Sequence, residues 1–170
     1  MNPELLGRLL DRHAAALELY ARQWCDVPED VVQDAFLKLA TQRGVPNEPV
    51  AWLYKVVRNA SINAGVAAKR RLRHEAAAAV ELSSWFAVDC DQPRGESIDP
   101  EAAALELRAL SIEVREVIVA RIWGGLTFEQ VAELAGCSTS TAHRLYQTGL
   151  TTLRERLGVP CRRTSRPIPS

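Results

Sequence analysis

Apolar residues recur at every third or fourth position through most of the chain, a spacing typical of amphipathic α-helices. The first such segment runs from about Pro3 to Trp24, and its apolar stripe comprises Leu6, Leu10, His13, Leu17, Tyr20 and Trp24. We expect His13 to be packed in the core rather than to bind a ligand, because no other ligand residues surround it. No run alternates β-branched and polar residues as a strand would. The pattern therefore predicts an all-α protein.

A second helix is predicted from Pro28 to about Gln42, because proline suits the first helical turn. Asp26 and Glu29 have the spacing of a capping box in front of it. Its apolar positions predict an inward face formed by Val32, Ala35, Phe36 and Leu39.

A third helix should follow a loop marked by Gly44, Pro46 and Pro49, with Asn47 as its cap. Gly65 lowers the helix propensity of this segment by up to ~1 kcal/mol relative to alanine, so we expect a bend or an early end there. The inward positions of the helix are Trp52, Leu53, Val56, Val57 and Ala60, and it ends in a basic run of Lys69, Arg70, Arg71 and Arg73.

Helical periodicity is lost between residues 83 and 99, an acidic stretch that contains Pro93 and Gly95. We interpret this stretch as a linker, preceded by a frayed alanine-rich helix at 75–82. The periodicity resumes after Pro100. The sequence thus predicts two small helical domains, 1–82 and 100–158, joined by an acidic linker at 83–99 and followed by a disordered tail at 159–170.

The second domain contains the pattern of a helix-turn-helix between Thr127 and Gln147. Thr127 and Gln130 have capping-box spacing, and Ala132 is small enough for the point where two helices cross. Gly136 suits the left-handed turn that follows, and a longer helix is capped by Ser138. Its inner face comprises Ala142, Leu145, Tyr146, Gly149, Leu150 and Leu153.

The outer face near the start of this last helix is polar, as in helices that enter the major groove of DNA. Hydroxyl, amide and guanidinium groups there can contact base edges or phosphates. A plain helical hairpin with a solvated polar face is the alternative. The candidate DNA-contacting residues are Ser138, Thr139, Ser140, Thr141, His143, Arg144 and Gln147.

Charge is balanced overall but arranged in blocks of alternating sign. Residues 51–75 carry 6 basic and 1 acidic side chains, and residues 117–170 carry 7 and 3. The segments 1–50 and 76–116 are acidic. Two basic blocks suggest two separate contacts with a polyanion, although a charge run is often only a solvated surface.

Other classes of function find little support. The four cysteines are far apart and form no C-x-x-C motif, so we expect reduced thiols and no metal site. The three histidines share no motif, and no catalytic triad or phosphate-binding loop occurs, so we expect neither enzymatic activity nor a cofactor. Neither a membrane-spanning segment nor a secretion signal is apparent, which predicts a cytoplasmic protein.

Two segments of the first half, EDVVQDAFLKL at 29–39 and AWLYKVVRN at 51–59, together resemble region 2 of extracytoplasmic-function sigma factors. The helix-turn-helix with its preceding helix resembles region 4 of the same family. The resemblance covers residues 5–75 and 100–157, in the family's order. It implies a sigma factor that directs core RNA polymerase to promoter DNA and initiates transcription.

The resemblance also implies roles for particular residues. A polar ridge on the second helix would bind the β′ clamp helices of polymerase, through Asp30, Gln33, Asp34 and Lys38. The third helix would contact the melted −10 strand with aromatic and cationic side chains, and a flipped base would lie near the 41–50 loop. The candidates for this −10 contact are Trp52, Lys55, Arg58, Asn59, Asn63, Lys69, Arg70, Arg71 and Arg73.

The second domain would read the −35 element and dock on the β flap through a helix at 112–123. The flap candidates are Val117, Ile118, Arg121, Ile122 and Trp123, although burial of Trp123 in the core is the more frequent outcome for such a residue. Leu145, Gln147 and Thr148 stand where relatives often have basic residues, so we expect modest affinity for −35 DNA.

Two alternatives remain open at the level of the sequence. A stand-alone helix-turn-helix regulator would explain the second domain but not the two motifs of the first. A sigma-like decoy would use the same surfaces to bind an anti-sigma protein, which is also an expected partner of a genuine sigma factor.

Overall fold

The structure, a computed structural model, describes residues 2–74 and 100–158. These two ranges contain seven α-helices and no strand, which confirms the all-α expectation for the part of the chain described. The helices are α1 (Pro3–Ala21), α2 (Pro28–Thr41), α3 (Pro49–His74), α4 (Pro100–Arg108), α5 (Ile112–Ile122), α6 (Phe128–Ala135) and α7 (Thr139–Arg156). The predicted linker at 83–99, the alanine-rich segment at 75–82 and the tail at 159–170 lie outside the described residues.

Helices α1, α2 and α3 pack against one another around a shared apolar core. The inward face predicted for α2 is confirmed, since Val32, Ala35, Phe36 and Leu39 are all buried. The stripe predicted for α1 is wrong at one position, because Leu10 is exposed whereas Leu9 is buried. Helix α1 contacts α2, α3 and α5, so its buried face is wider than a single stripe.

Helix α2 begins at Pro28 as predicted, but the capping residues expected for α2 and α3 are not those used. Val27 is the N-cap of α2, with no side-chain cap, and Glu29 instead forms an ion pair with Arg22 at 3.0 Å. Helix α3 begins at Pro49, and the Glu48 carbonyl accepts its first backbone hydrogen bond from Trp52. The predicted cap residue Asn47 therefore lies one position too early.

Helix α3 continues through Gly65 to His74, so the expected early end is wrong. A Cβ built at Gly65 would overlap the backbone carbonyl oxygen of Trp24 and lie 3.2 Å from its carbonyl carbon. The glycine thus permits α3 to approach the turn that follows α1. Close packing, rather than a helix break, accounts for this residue.

Helices α5, α6 and α7 form a second packed group, with α4 against α7. The two groups also contact each other, α1 against α5 and α3 against α6, so that buried residues from both belong to one continuous core. Among the described helices, none combines the length and apolarity needed to cross a membrane.

Candidate nucleic-acid and polymerase interface

The helix-turn-helix expected between Thr127 and Gln147 is present. The Thr127 hydroxyl accepts from the Gln130 backbone N–H at 3.3 Å, and the Gln130 side chain accepts from the Thr127 N–H at 2.9 Å. Gly136 ends α6 in the left-handed conformation, with φ 69°. Ala132 is buried, as the crossing point requires.

The first turn of α7 is held by a cluster of hydroxyl groups. The Ser138 Oγ accepts from the Thr141 backbone N–H at 3.2 Å and lies 3.0 Å from Ser140 Oγ and 2.8 Å from Thr141 Oγ1. These contacts use part of the hydrogen-bonding capacity of Ser138 and Thr141, and Thr141 is half-buried. Both therefore have fewer free hydrogen-bonding positions for a partner than the rest of the predicted set.

The other candidates on α7 form an open polar surface. Thr139, Ser140, His143, Arg144 and Gln147 are all exposed. The first turn of α7 contains no acidic residue, so the partial positive charge of the helix N-terminus is not neutralised there. This arrangement favours contact with an anion such as a DNA phosphate.

Under this surface lies a ring stack that the sequence does not predict, in which Phe128 of α6 packs against two aromatic side chains of α7. The Phe128 ring lies 4.9 Å from the His143 ring and 5.5 Å from the Tyr146 ring. The Arg121 guanidinium lies over Phe128 at 4.9 Å from the ring centroid and donates to the Leu126 carbonyl at 2.7 Å. The stack fixes α7 on α6. The only indication of this stack in the sequence is that a phenylalanine, Phe128, directly follows the N-cap residue Thr127.

The candidates for the −10 contact follow α3. Asn59, Asn63, Lys69, Arg70 and Arg71 are exposed, and Trp52 is half-buried. Trp52, Asn59 and Asn63 recur at helical spacing and so share one side of α3. The side chain of Arg73 lies outside the described part.

Two of these candidates are held by the second helix group. The Lys55 Nζ forms an ion pair with Glu133 of α6 at 3.0 Å. The Arg58 Nε donates to the Glu116 carboxylate of α5 at 2.6 Å, and its guanidinium lies 5.9 Å from the centre of the Trp24 ring.

Glu116 is the residue whose importance the sequence analysis missed. It is only 5% exposed, and the Tyr20 hydroxyl donates to it at 2.6 Å. The hydrogen bond to this carboxylate raises the pKa of Arg58. Burial, then the charge of Glu116, raises the pKa of Tyr20. The only indication of this role in the sequence is that a carboxylate stands among the apolar residues of α5.

The residues predicted to form a polymerase-binding ridge lie on an exposed face of α2. Asp30, Gln33, Asp34 and Lys38 are all exposed, and none of their side chains forms a hydrogen bond or ion pair with another described residue. Beside the ridge, α1 and α2 enclose an apolar groove of about 550 Å³, with Leu37 56% exposed at its edge.

The predicted flap-docking face of α5 needs correction. Val117 and Ile118 are fully buried, because α5 is the central helix of its group and contacts α1, α6 and α7. Arg121 is engaged in the ring stack. Ile122 and Trp123, at 47% and 40% exposed, are the members of the set that remain accessible, so the expected burial of Trp123 is also wrong.

Within the described ranges, no group of histidine, cysteine or acidic residues is arranged to hold a metal ion. Cys25 and Cys137 are free thiols, whereas Cys90 and Cys161 lie outside the described part. Burial, with a smaller effect of Arg12, lowers the pKa of His13.

Comparison with known proteins agrees with this geometry. Residues 107–155, which span α5, α6 and nearly all of α7, match the sequence model of Sigma-70, region 4. No curated protein sequence gives a significant match to the chain.

Two solved structures are similar over nearly the whole chain. One is the sigma factor RpoE in complex with the anti-sigma factor NepR from Bartonella quintana, at TM-score 0.67 and 23% identity, covering 94% of this chain and 100% of that one. The other is CnrH in complex with the cytosolic domain of CnrY, at TM-score 0.55 and 22% identity, covering 94% and 92%. At these identities the likeness is one of fold. The segment 107–155 therefore matches region 4 of the sigma-70 family, within a chain whose fold is similar to that of the solved sigma factor RpoE.

Proposed function

We propose that this protein is an RNA polymerase sigma factor of the extracytoplasmic-function type, which directs promoter recognition and initiation and catalyses no reaction itself. The observation that carries the proposal is the region 4 helix-turn-helix, whose α7 presents an open polar surface at its N-terminal end. Residues 1–82 would bind core polymerase and the −10 element, and residues 100–158 would bind the −35 element. Such a protein would act in the cytoplasm.

The exposed ridge on α2 supports the polymerase half of this proposal. Its carboxylates and amide have no partner among the described residues, so docking on a basic surface would not first require breaking an internal contact. Electrostatic complementarity of this kind steers association with the β′ clamp helices. The adjacent apolar groove would add buried area to the contact.

An anti-sigma protein is a further proposed partner, because RpoE was solved with one and has this fold. An anti-sigma protein that bound both helix groups would cover the polymerase and promoter surfaces at once.

Purified protein should form a complex with core polymerase and give specific run-off transcripts from a genomic library. Asp34→Arg should weaken core binding, because it reverses a charge in the middle of the ridge. Asp11→Arg is the matched control, an exposed charge reversal on α1 that lies outside the ridge. Equal loss in both variants would contradict the assignment of the ridge.

The DNA half is tested on α7. Arg144→Ala should reduce specific transcripts while core binding stays unchanged, whereas Arg154→Ala, at the far end of the same helix, should have little effect. Binding to DNA but never to core polymerase would favour a stand-alone regulator. Capture of an anti-sigma domain, with neither core nor DNA binding, would favour a decoy.

A further inference from the structure

The contacts between the two helix groups fall on the surface assigned to the −10 element. We propose that these contacts form an autoinhibitory latch, in which α5 and α6 cover the part of the −10 surface formed by Trp52, Lys55 and Arg58 and must separate from it before this part of α3 can contact promoter DNA. The inference rests on the proposed function, because it gives the covered surface its role.

The centre of the latch is the Glu116 carboxylate. It accepts from the Tyr20 hydroxyl and from Arg58 Nε, each at 2.6 Å, so α5 is tied to both α1 and α3 through one buried group. A guanidinium whose donors face a carboxylate cannot present them to a phosphate at the same time. While the latch is closed, the Nε and Nη2 donors that Arg58 gives to Glu116 are therefore not available to DNA.

A second contact lies further toward the start of α3. Lys55 pairs with Glu133, and the Gln130 Nε2 donates to Glu48 at 3.2 Å. Between these contacts the two helix groups enclose a cleft of about 260 Å³, lined by the 46–48 loop and Trp52 on one side and by α6 on the other. The loop expected to lie near a flipped base and the Trp52 ring expected to contact the −10 strand thus face α6 across this cleft.

The two promoter surfaces are affected unequally. The polar face of α7 is exposed in the closed form, whereas Lys55, Arg58 and Trp52 on α3 are next to the second helix group. The latch therefore covers the first part of the −10 surface, whereas Asn59, Asn63 and the basic residues at 69–71 are exposed, and it leaves the −35 surface uncovered.

The chemistry of the interface suits reversible opening. The Lys55 pair is largely exposed and contributes little, so the buried Glu116 contact dominates. Interfaces between domains that contain such polar contacts commonly permit the domains to move apart. Binding of core polymerase to the first group is the event we expect to open it.

The latch can be detected directly with a water-soluble carbodiimide, which joins an amine to a carboxylate already in contact. Full-length protein should give a Lys55–Glu133 amide cross-link, identified by mass spectrometry of tryptic peptides. Glu116→Gln should lower its yield at least about threefold, since the population of the closed form falls. Glu113→Gln removes the same charge from an exposed position of α5 and should leave the yield unchanged.

The functional consequence is tested with a fluorescent single strand of mixed sequence, about 16 nucleotides long, in an anisotropy titration. Glu116→Gln should bind it at least about threefold more tightly than the natural protein. Glu133→Lys reverses the exposed charge that pairs with Lys55, and it should also increase affinity. Glu155→Lys, an equal charge reversal on exposed α7, is its control, because added positive charge alone strengthens DNA binding.

The proposal is overturned if the natural protein gives no Lys55–Glu133 cross-link, or if Glu116→Gln and Glu133→Lys bind the strand no better than their controls. Circular dichroism of each variant separates loss of folding from opening. Failure to bind core polymerase would instead refute the proposed function, and the cross-link would still report whether the groups close. Addition of core polymerase should abolish the cross-link in the natural protein.

Discussion

Replacement of Gly65 by alanine should change the free energy of unfolding in two opposite directions. Helix propensity predicts an increase, and packing predicts a decrease. In an exposed helix interior, glycine to alanine stabilises by up to about 1 kcal/mol. At Gly65, however, the added Cβ would overlap the Trp24 carbonyl oxygen, and a backbone atom cannot move aside as a flexible side chain can. Overpacking of this kind typically costs about 1–3 kcal/mol.

The severity of the overlap places the packing cost near the upper end of that range. Trp24 lies in the turn that ends α1, and its N–H donates to the Ala21 carbonyl at 3.0 Å, so the turn resists displacement. After subtraction of the propensity gain, we expect Gly65→Ala to lower the free energy of unfolding by about 2 kcal/mol.

Gly7 in α1 provides the matched control. A Cβ built there has no neighbouring atom within 4 Å, so Gly7→Ala should gain propensity alone, up to about 1 kcal/mol. Urea unfolding of both variants, followed by circular dichroism at 222 nm, measures the difference from the natural protein. If Gly65→Ala proves as stabilising as Gly7→Ala, then α3 does not pack closely on the end of α1, and the explanation of Gly65 fails.

Three further substitutions, the first with a matched control, test the environments of particular side chains. Tyr20→Phe removes the hydrogen bond to Glu116 and should lower the free energy of unfolding by about 1.5–3 kcal/mol, whereas Tyr54→Phe, which removes a buried hydroxyl without a described partner, should change it by less than about 0.5 kcal/mol. Equal losses would contradict the assigned hydrogen bond. Because the pKa of His13 is lowered in the folded state, the unfolded state binds more protons, so stability should fall as pH drops below about 6.5. His13→Gln should weaken this dependence in urea titrations between pH 5 and 7, and an unchanged profile would rule His13 out as its source. Ser138→Ala removes the cap of α7 and should cost about 1 kcal/mol, measured by thermal unfolding, and no loss would show that water replaces the cap.

Local signals in the sequence were sufficient for the helices and for the helix-turn-helix. Hydrophobic periodicity located α1, α2 and α3, and the capping box at Thr127 and the left-handed Gly136 are properties of a few adjacent residues. The same reasoning failed where the outcome depends on a distant part of the chain. The glycine at 65 was interpreted as a weak point of α3 because the Trp24 carbonyl that requires it is not adjacent in sequence.

The burial of α5 shows the same limit. Val117 and Ile118 were assigned to a partner because apolar residues on a helix near a DNA-binding motif suit either a core or an interface. Only the packing of α5 against α1, α6 and α7 distinguishes the two, and it leaves Ile122 and Trp123 as the accessible pair.

Arg58 has both a local sequence signal and a contact with a distant part of the chain. A cation in a basic, aromatic segment predicts a phosphate partner, and nothing near it in sequence indicates another. The carboxylate that it binds is 58 positions away, in the other helix group. Carboxylate and phosphate both match the planar fork of a guanidinium, so the donors that Arg58 gives to Glu116 are not available to a phosphate at the same time. A cation chosen by sequence as a DNA contact is therefore also a group that joins the two helix groups, and DNA would compete with Glu116 for its donors.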